Sequence, residues 1–305
     1  MSAPAGVLPA ARPAQVTAPV VVADRLGGYA HLVIADPVLA QALPGQFVAV
    51  AVGDRQSSML LRRAFSVHRA DPAAGTLEVV VAAHGAGTAW IAGRRAGDEL
   101  DVVGPLGTRF VLPPAGGRVV LVGGGYGSAP FAWTAQAAVA AGVRVDAVVG
   151  AGDADRLCDV DGVRAVVGAA GGQVLVTTDD GSAGEPGRVT DALARLLEEP
   201  VPTTVAACGP MAMLAAVART AAAAQERTGA PVDVQVAVEE AMACGIGICM
   251  TCVLPVRGAD GATRMVRACT DGPVIDAAAV RWDCVGAHGA SVPADAVGAP
   301  EGGAA

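Results

Sequence analysis

The chain has 305 residues, enough for two or three domains, and 53% of them are hydrophobic although only 3% are aromatic, so its cores must be built from small and β-branched side chains. All 21 basic residues are arginine, the formal charge is −8, and no arginine stripe is visible, which argues against nucleic-acid binding. The seven cysteines are odd in number and four fall in one metal-type constellation, which argues for a reducing compartment and against a disulfide framework.

Residues 1–14, rich in Ala and Pro, read as a disordered leader; the single basic residue Arg12 and the lack of an apolar core give no signal peptide. Residues 15–113 read as short strands separated by Gly- and Pro-bearing turns. Gln46–Val52 follows the turn Pro44-Gly45, and Leu77–Ala82 and Glu99–Val103 repeat the pattern, so a small closed barrel is expected. Within it, Leu61-Arg-Arg-Ala-Phe-Ser-Val67 sets two arginines beside a serine. That is either a clamp for a diphosphate or a solvated arginine pair at a strand edge. Gly85-Ala-Gly-Thr88 opens a short helix and is either a phosphate turn or an ordinary connection.

Residues 114–230 alternate strands and helices, which predicts a parallel α/β sheet. Strands are expected at Arg118–Val122, Val143–Val149, Gln173–Thr178 and Thr203–Ala207, and helices up to Ala141, at Asp191–Glu198 and at Met211–Gln225. Gly123-Gly-Gly-Tyr-Gly-Ser-Ala-Pro130 joins a buried strand to a helix, the setting a nucleotide-phosphate loop requires, though without the G-x-G-x-x-G form. Ala207-Cys-Gly-Pro-Met211 ends another parallel strand, where Cys208 is either packed or next to a ligand. The longest apolar run, Met211–Ala218, is too short to span a membrane, and a cytoplasmic protein is expected.

Residues 231–285 begin with the strand-like Val232–Val238 and then hold Cys244, Cys249 and Cys252 within nine residues, with Cys269 after a further sixteen. C-x4-C-x2-C…C is the plant-type spacing of a [2Fe–2S] cluster, whereas zinc sites usually come as two short C-x2-C pairs. Pro255 limits Val253–Val256 to an edge strand. Cys158 and Cys284 read as small hydrophobes, no histidine is assigned to catalysis, and residues 286–305 read as a flexible tail.

Taken together, residues 15–285 resemble the electron-transfer subunit of type B (NAD-dependent) dihydroorotate dehydrogenase, a branch of the ferredoxin–NADP reductase superfamily. The resemblance rests on Arg63-Ala64-Phe65-Ser66 (with Ala64 where the family has proline), Val80-Val81-Ala82, Gly87-Thr88, Gly104–Gly107, Gly123–Pro130, Cys208-Gly209-Pro210 and the cysteine motif with Cys269-Thr-Asp-Gly-Pro273. It implies a flavin-binding β-barrel (15–113), an NAD-binding α/β domain (114–230) and a small C-terminal [2Fe–2S] domain (231–285). It also implies FAD on Arg63, Ala64, Phe65, Ser66, Val80, Val81, Ala82, Gly87 and Thr88, and NAD at Gly123, Gly124, Gly125, Gly127, Cys208, Gly209 and Pro210. The cluster would sit on Cys244, Cys249, Cys252 and Cys269. The implied partner is an FMN-containing dihydroorotate dehydrogenase catalytic subunit, in a heterotetramer of two of each, docking around Cys244–Cys252 and Asp271–Pro273. The alternative is an NAD(P)H-dependent ferredoxin or sulfide-dehydrogenase-like flavin reductase with another partner.

Overall fold

The structure is a computed structural model; it describes residues 12–53, 57–286, 289–290, 292–293 and 295–298. Residues 1–11 of the expected leader lie outside the described residues, as do residues 287, 288, 291, 294 and 299–305 of the expected tail.

Six strands, β1 (Ala14–Leu26), β2 (Tyr29–Ala35), β3 (Phe47–Val50), β4 (Arg63–Asp71), β5 (Thr76–Val81) and β6 (Glu99–Leu106), close a barrel in the order β1-β2-β5-β4-β3-β6, with α1 (Ala86–Ala92) between β5 and β6. Strand alternation sends Phe65, Val67, Leu77, Val79, Val81 and Val102 into one core and leaves Ala64 and Ser66 facing out. One irregularity matters for function. The first half of β4 pairs with β3 (Phe47↔Ser66 to Val50↔Arg63), while the ladder with β5 starts only at Val67↔Val79. Strands β4 and β5 therefore splay at residues 63–66 and 80–82, and β5's main chain is left without a β4 partner there.

The second unit contains β7 (Arg118–Gly124), α2 (Phe131–Ala140), β8 (Arg144–Ala151), α3 (Val160–Ala169), β9 (Val174–Thr178), β10 (Glu185–Pro186), α4 (Val189–Leu196), β11 (Thr203–Cys208), α5 (Met211–Thr228) and β12 (Val232–Ala237). The sheet runs β10-β9-β8-β7-β11-β12, all parallel. Val119 and Leu121 pack with Phe131 of α2 and Val163 of α3, while Val120 and Val122 pack with Leu193 of α4 and Leu214 of α5. Helices thus cover both faces, which is why these strands are continuously apolar. β12, which the sequence pattern placed at the head of the third region, pairs residue for residue with β11 and completes this sheet. Its alternating Val and polar residues fit a strand near a sheet edge as well as a domain start.

The third unit holds the cysteine loop, the hairpin β13 (Val253–Arg257)–β14 (Thr263–Arg267) and β15 (Val274–Asp276), which adds antiparallel to β12. Pro255 sits in this two-stranded hairpin, as its missing N–H demands. Cys252, Leu254, Ala268 and Cys269 share a core with Phe47 and Leu106 of the barrel and Val236 of the sheet, so the unit is wedged against both others. Parts of the expected flexible tail are fixed: β16 (Val285–Gly286) pairs with β17 (Gly289–Ala290), the Val297 N–H bonds Thr263 O at 2.8 Å, and Arg281 pairs with Asp295 at 2.7 Å.

Candidate functional site

The strand order reverses between β7 and β11, the topological switch point at whose carboxyl ends open α/β sheets bind ligands. Gly123 and Cys208 are register partners there, so the two Gly-bearing turns lie side by side. They pack tightly: a Cβ on Gly127 would collide with the Cys208 carbonyl, and one on Gly124 with the Met213 sulfur. Gly123 and Gly124 lie in β7, Gly125 and Gly127 follow in the turn, and Pro210 precedes α5.

This switch point faces the splay in the barrel, and between them lies a cleft of about 500 Å³. Of the expected residues, Arg63, Ala64, Phe65, Ser66, Val80, Ala82, Thr88, Gly127, Cys208 and Gly209 line it. Val81 turns its side chain into the barrel core and offers the cleft only main chain. Gly87, Gly123, Gly124, Gly125 and Pro210 are not among the lining residues.

The two arginines of the barrel motif divide their roles. Arg62 is bound to both oxygens of Asp101 at 2.9 Å. Arg63 bonds the Leu61 carbonyl at 2.6 Å and lies over Gly87, where a Cβ would come within 2.8 Å of its Nε. Gly87 is therefore what lets the guanidinium reach the rim of the cleft. The Thr88 hydroxyl is engaged locally, accepting from the N–H groups of His84 at 3.0 Å and Gly85 at 3.1 Å.

Across the cleft, burial pushes the Cys208 thiol up to about 12, with the Glu239 charge adding to this and the facing Ser66 hydroxyl opposing it. Cys208 thus stays a thiol in the cleft that the barrel's Ser66 also lines. Sequence reasoning did not assign Tyr126, Glu239 or Glu240, which also line the cleft. The Tyr126 hydroxyl donates to Glu239, and its ring stands edge-on to Tyr29 at 6.3 Å. Glu240 Oε1 is buried without a hydrogen-bond partner, and burial raises its carboxyl above the usual range. The doublet Glu239-Glu240 directly before the cysteine motif was the available signal.

An orphaned buried acceptor, a guanidinium at the rim and unpaired strand main chain fit a large, planar, N–H-bearing heterocycle with an anionic tail, as FAD is. A buried carboxylate oxygen of this kind calls for a donor.

The cysteine loop forms the far wall, where Ala243 and Thr251 line the same cleft. Gly245 and Gly247 both have positive φ, at 73° and 80°, so the loop can fold back on its own sulfurs. The Cys249 sulfur acts most directly on Cys244, and the Cys252 sulfur on Cys269. Burial works to raise the Cys244 thiol, but N–H groups of Cys249, Ile246 and Ile248 and the Cys249 thiol outweigh it and bring it down to about 6. Cys269 is pushed up to about 12 by burial and by the adjoining Cys252 sulfur, against a bond from the Gly247 N–H. Among the described residues no three of these four sulfurs lie within 4.8 Å of one another. One zinc ion would gather all four thiolates into one tetrahedron, whereas a [2Fe–2S] cluster takes two thiolates on each iron. The paired arrangement fits the cluster.

The family described as the iron-sulfur cluster binding domain of dihydroorotate dehydrogenase B matches residues 239–281. The chain is 40% identical over 240 residues to the electron transfer subunit of dihydroorotate dehydrogenase B (NAD(+)) from Bacillus caldolyticus, a match covering 78% of this chain and 86% of that protein. It is 32% identical over 243 residues to the same-named subunit from Desulforamulus reducens, covering 79% and 88%. Among solved structures, the NADH-dependent reduced ferredoxin-NADP oxidoreductase superimposes with a TM-score of 0.73 at 30% identity, covering 88% of this chain and 91% of that one.

Proposed function

The chain belongs to the dihydroorotate dehydrogenase B electron transfer subunits, and from that membership we propose that it carries electrons from an FMN-containing catalytic subunit to NAD+ in pyrimidine biosynthesis, in a heterotetramer of two of each subunit. Its cofactors are FAD, a [2Fe–2S] cluster and NAD, and it works with a catalytic partner. FAD held in the cleft would supply the conversion between two-electron hydride chemistry at the nicotinamide and one-electron chemistry at the cluster.

One observation carries the reading: a single cleft has the Arg63–Ser66 segment on one wall, Cys208 and Gly209 on a second, and the cysteine loop at Ala243 and Thr251 on a third. We assign Arg63 to the diphosphate, the main chain of Val80-Val81-Ala82 and the Glu240 carboxyl to the flavin ring, and the turns at Gly123–Gly127 and Cys208–Pro210 to the nicotinamide nucleotide. Cys244, Cys249, Cys252 and Cys269 hold the cluster. These residues bind, orient and exclude water; the high thiol range of Cys208 keeps it neutral beside the reacting rings. Barrel, nucleotide and cluster modules correspond to residues 15–113, 114–230 extended by β12, and the rest of 231–285.

Among the described residues no helix is long and apolar enough to cross a membrane, and we place the protein in the cytoplasm because its cysteines are thiols or cluster ligands rather than disulfide partners.

Cys249→Ser tests the assignment. Purified anaerobically with the catalytic subunit, the variant is expected to lose iron and electron transfer to the partner while keeping FAD and NADH-dependent dye reduction. Loss of FAD with an intact cluster would overturn the module assignment. Failure of the wild type to co-purify with a dihydroorotate-oxidising subunit would favour instead a reductase like the structural relative of 0.73 TM-score.

A further inference from the structure

Away from the cleft, four titratable side chains converge where the barrel meets the nucleotide domain. His31 on β2 and Glu78 on β5 lie on neighbouring strands. His68 on β4 joins them through a β-bulge: Val67 opposes Val79 and Arg69 opposes Glu78, so His68 is the extra residue and is turned out of the barrel's alternation. Asp159, at the start of α3, comes from the other domain. His31 and Glu78 have side chains 15% and 20% exposed, and those of His68 and Asp159 are 11% and 9% exposed.

The hydrogen bonding is short of donors. His68 Nδ1 faces the Ala129 carbonyl at 2.5 Å, and a carbonyl only accepts, so the proton is on Nδ1. Its Nε2 is aimed at two carboxylate oxygens, Glu78 Oε2 and Asp159 Oδ2, each at 4.0 Å and too far for a hydrogen bond. His31 meets carboxylates on both nitrogens, Asp24 Oδ1 at 2.7 Å from Nδ1 and Glu78 Oε2 at 2.9 Å from Nε2. The Arg69 guanidinium is hydrogen-bonded to Gln136 at 3.0 Å and acts on Glu78 and Asp159 through its charge.

Each imidazole has its Nδ1 tied to a carbonyl or carboxylate and its Nε2 aimed inward, which is how metal-bound histidines are held. His31, His68 and Glu78 form the one set of three or more His, Cys, Asp or Glu ligand atoms lying within 4.8 Å of one another among the described residues.

We infer that His31, His68, Glu78 and Asp159 form a divalent transition-metal site that clamps the barrel to the nucleotide domain. Two imidazoles with two carboxylates suit Zn2+ and its neighbours rather than Mg2+ or Ca2+. Donors about 2.1 Å from such an ion stand about 3 to 3.5 Å apart in a tetrahedron. Here His31 Nε2 is 2.9 Å from Glu78 Oε2 and His68 Nε2 is 4.0 Å from the same oxygen, so these three need little adjustment; Asp159, 4.0 Å from His68 but outside the set that lies mutually within 4.8 Å, would close in on binding. Binding displaces the proton shared between His31 and Glu78 to solvent, and no electron moves. The cation would fix the domain angle behind Val80 and Ala129, which line the cleft.

The test uses the full chain loaded with FAD and cluster, kept anaerobic, with Co2+ as the probe. One Co2+ per chain is expected, with visible ligand-field bands, no thiolate-to-cobalt charge-transfer band, and a raised Tm. Asp159→Asn is expected to keep the fold, because asparagine tolerates the left-handed φ of 50° at this position, and to weaken Co2+ binding at least about 10-fold. His31→Gln with His68→Gln is expected to abolish binding with FAD and iron content unchanged. Absence of stoichiometric Co2+, thiolate charge transfer, or Asp159→Asn binding as tightly as wild type would each overturn the site, leaving a proton-only cluster. Cofactor loading is read separately, so failure here leaves the electron-transfer assignment standing.

Discussion

Arg63 and Arg62 are adjacent and chemically identical, yet only one is available to a ligand. Arg62 is committed to Asp101, while Arg63 reaches over Gly87 to the cleft. A charged hydrogen bond to a phosphate is worth about 1.5–3 kcal/mol, so Arg63→Ala is expected to weaken FAD binding roughly 10- to 150-fold, read by flavin release on dialysis. Unchanged flavin content would remove Arg63 from the site. Cys208 carries a second prediction. Its folded thiol is pushed up to about 12 from 9.0 by burial. Between those values the unfolded chain gives up the proton and the folded chain keeps it. Stability is therefore unaffected below pH 9.0 and falls as pH rises toward about 12, by up to about 1.4 kcal/mol per pH unit. Cys208→Ala is expected to flatten urea-midpoint profiles in that window, and Cys208 of the holoprotein is expected to resist iodoacetamide at about pH 8, since thiolate is the reactive form. Rapid modification there would contradict its burial.

At the scale of elements, the parallel sheet is held at its β7–β8 end by a buried ion network. Arg118 donates from Nε to Asp146 at 3.0 Å, Asp146 also accepts the Gln173 N–H at 2.9 Å, and Arg144 and Glu199 close the group from outside. Arg118 and Asp146 side chains are 4% and 1% exposed. Removing one member strands a buried charge, so Asp146→Ala is expected to cost about 3–5 kcal/mol in denaturant unfolding. Arg144→Ala, at an exposed position, is expected to cost under about 1 kcal/mol. Equal losses from the two would contradict the burial argument. In the same sheet β12 pairs with β11; its sequence specifies a strand but carries no mark of which neighbour it pairs with.

For the molecule as a whole, the cysteine loop is both the far wall of the cleft and a surface. Ile246, Ile248 and Met250 are 48%, 75% and 51% exposed, an apolar rim beside the expected cluster. Gly272 and Pro273, expected on the same face, are instead buried against Gly107 of the barrel, with the Thr108 N–H on Gly272 O at 2.6 Å; Asp271 alone stays exposed. Ile248→Asp is expected to lower affinity for the catalytic subunit roughly 10-fold or more in a pull-down titration, with FAD and iron unchanged. Full retention of the complex would move the docking face elsewhere.

The sequence by itself carried the cysteine spacing and the run of strands and helices, while FAD, NAD and the order of units came with the family resemblance that those motifs support. Cysteine spacing, a Gly-rich strand-to-helix turn and runs of alternating or continuous apolar residues are local, and a ligand set or a strand is specified over a few consecutive positions. It also carried the barrel and the parallel sheet, because period-two patterns and strand–helix alternation each admit few closed architectures. Tertiary structure alone decided which arginine is free, where β12 pairs, that part of the C-terminal stretch is tied down, and that Glu240 is a buried acceptor in the cleft. It also gathered His31, His68, Glu78 and Asp159, which span 128 sequence positions between His31 and Asp159 and share no motif. Each of these depends on which distant surfaces meet, and such meetings are set by packing of the three units against one another, as when the cysteine loop comes to lie beside the barrel splay.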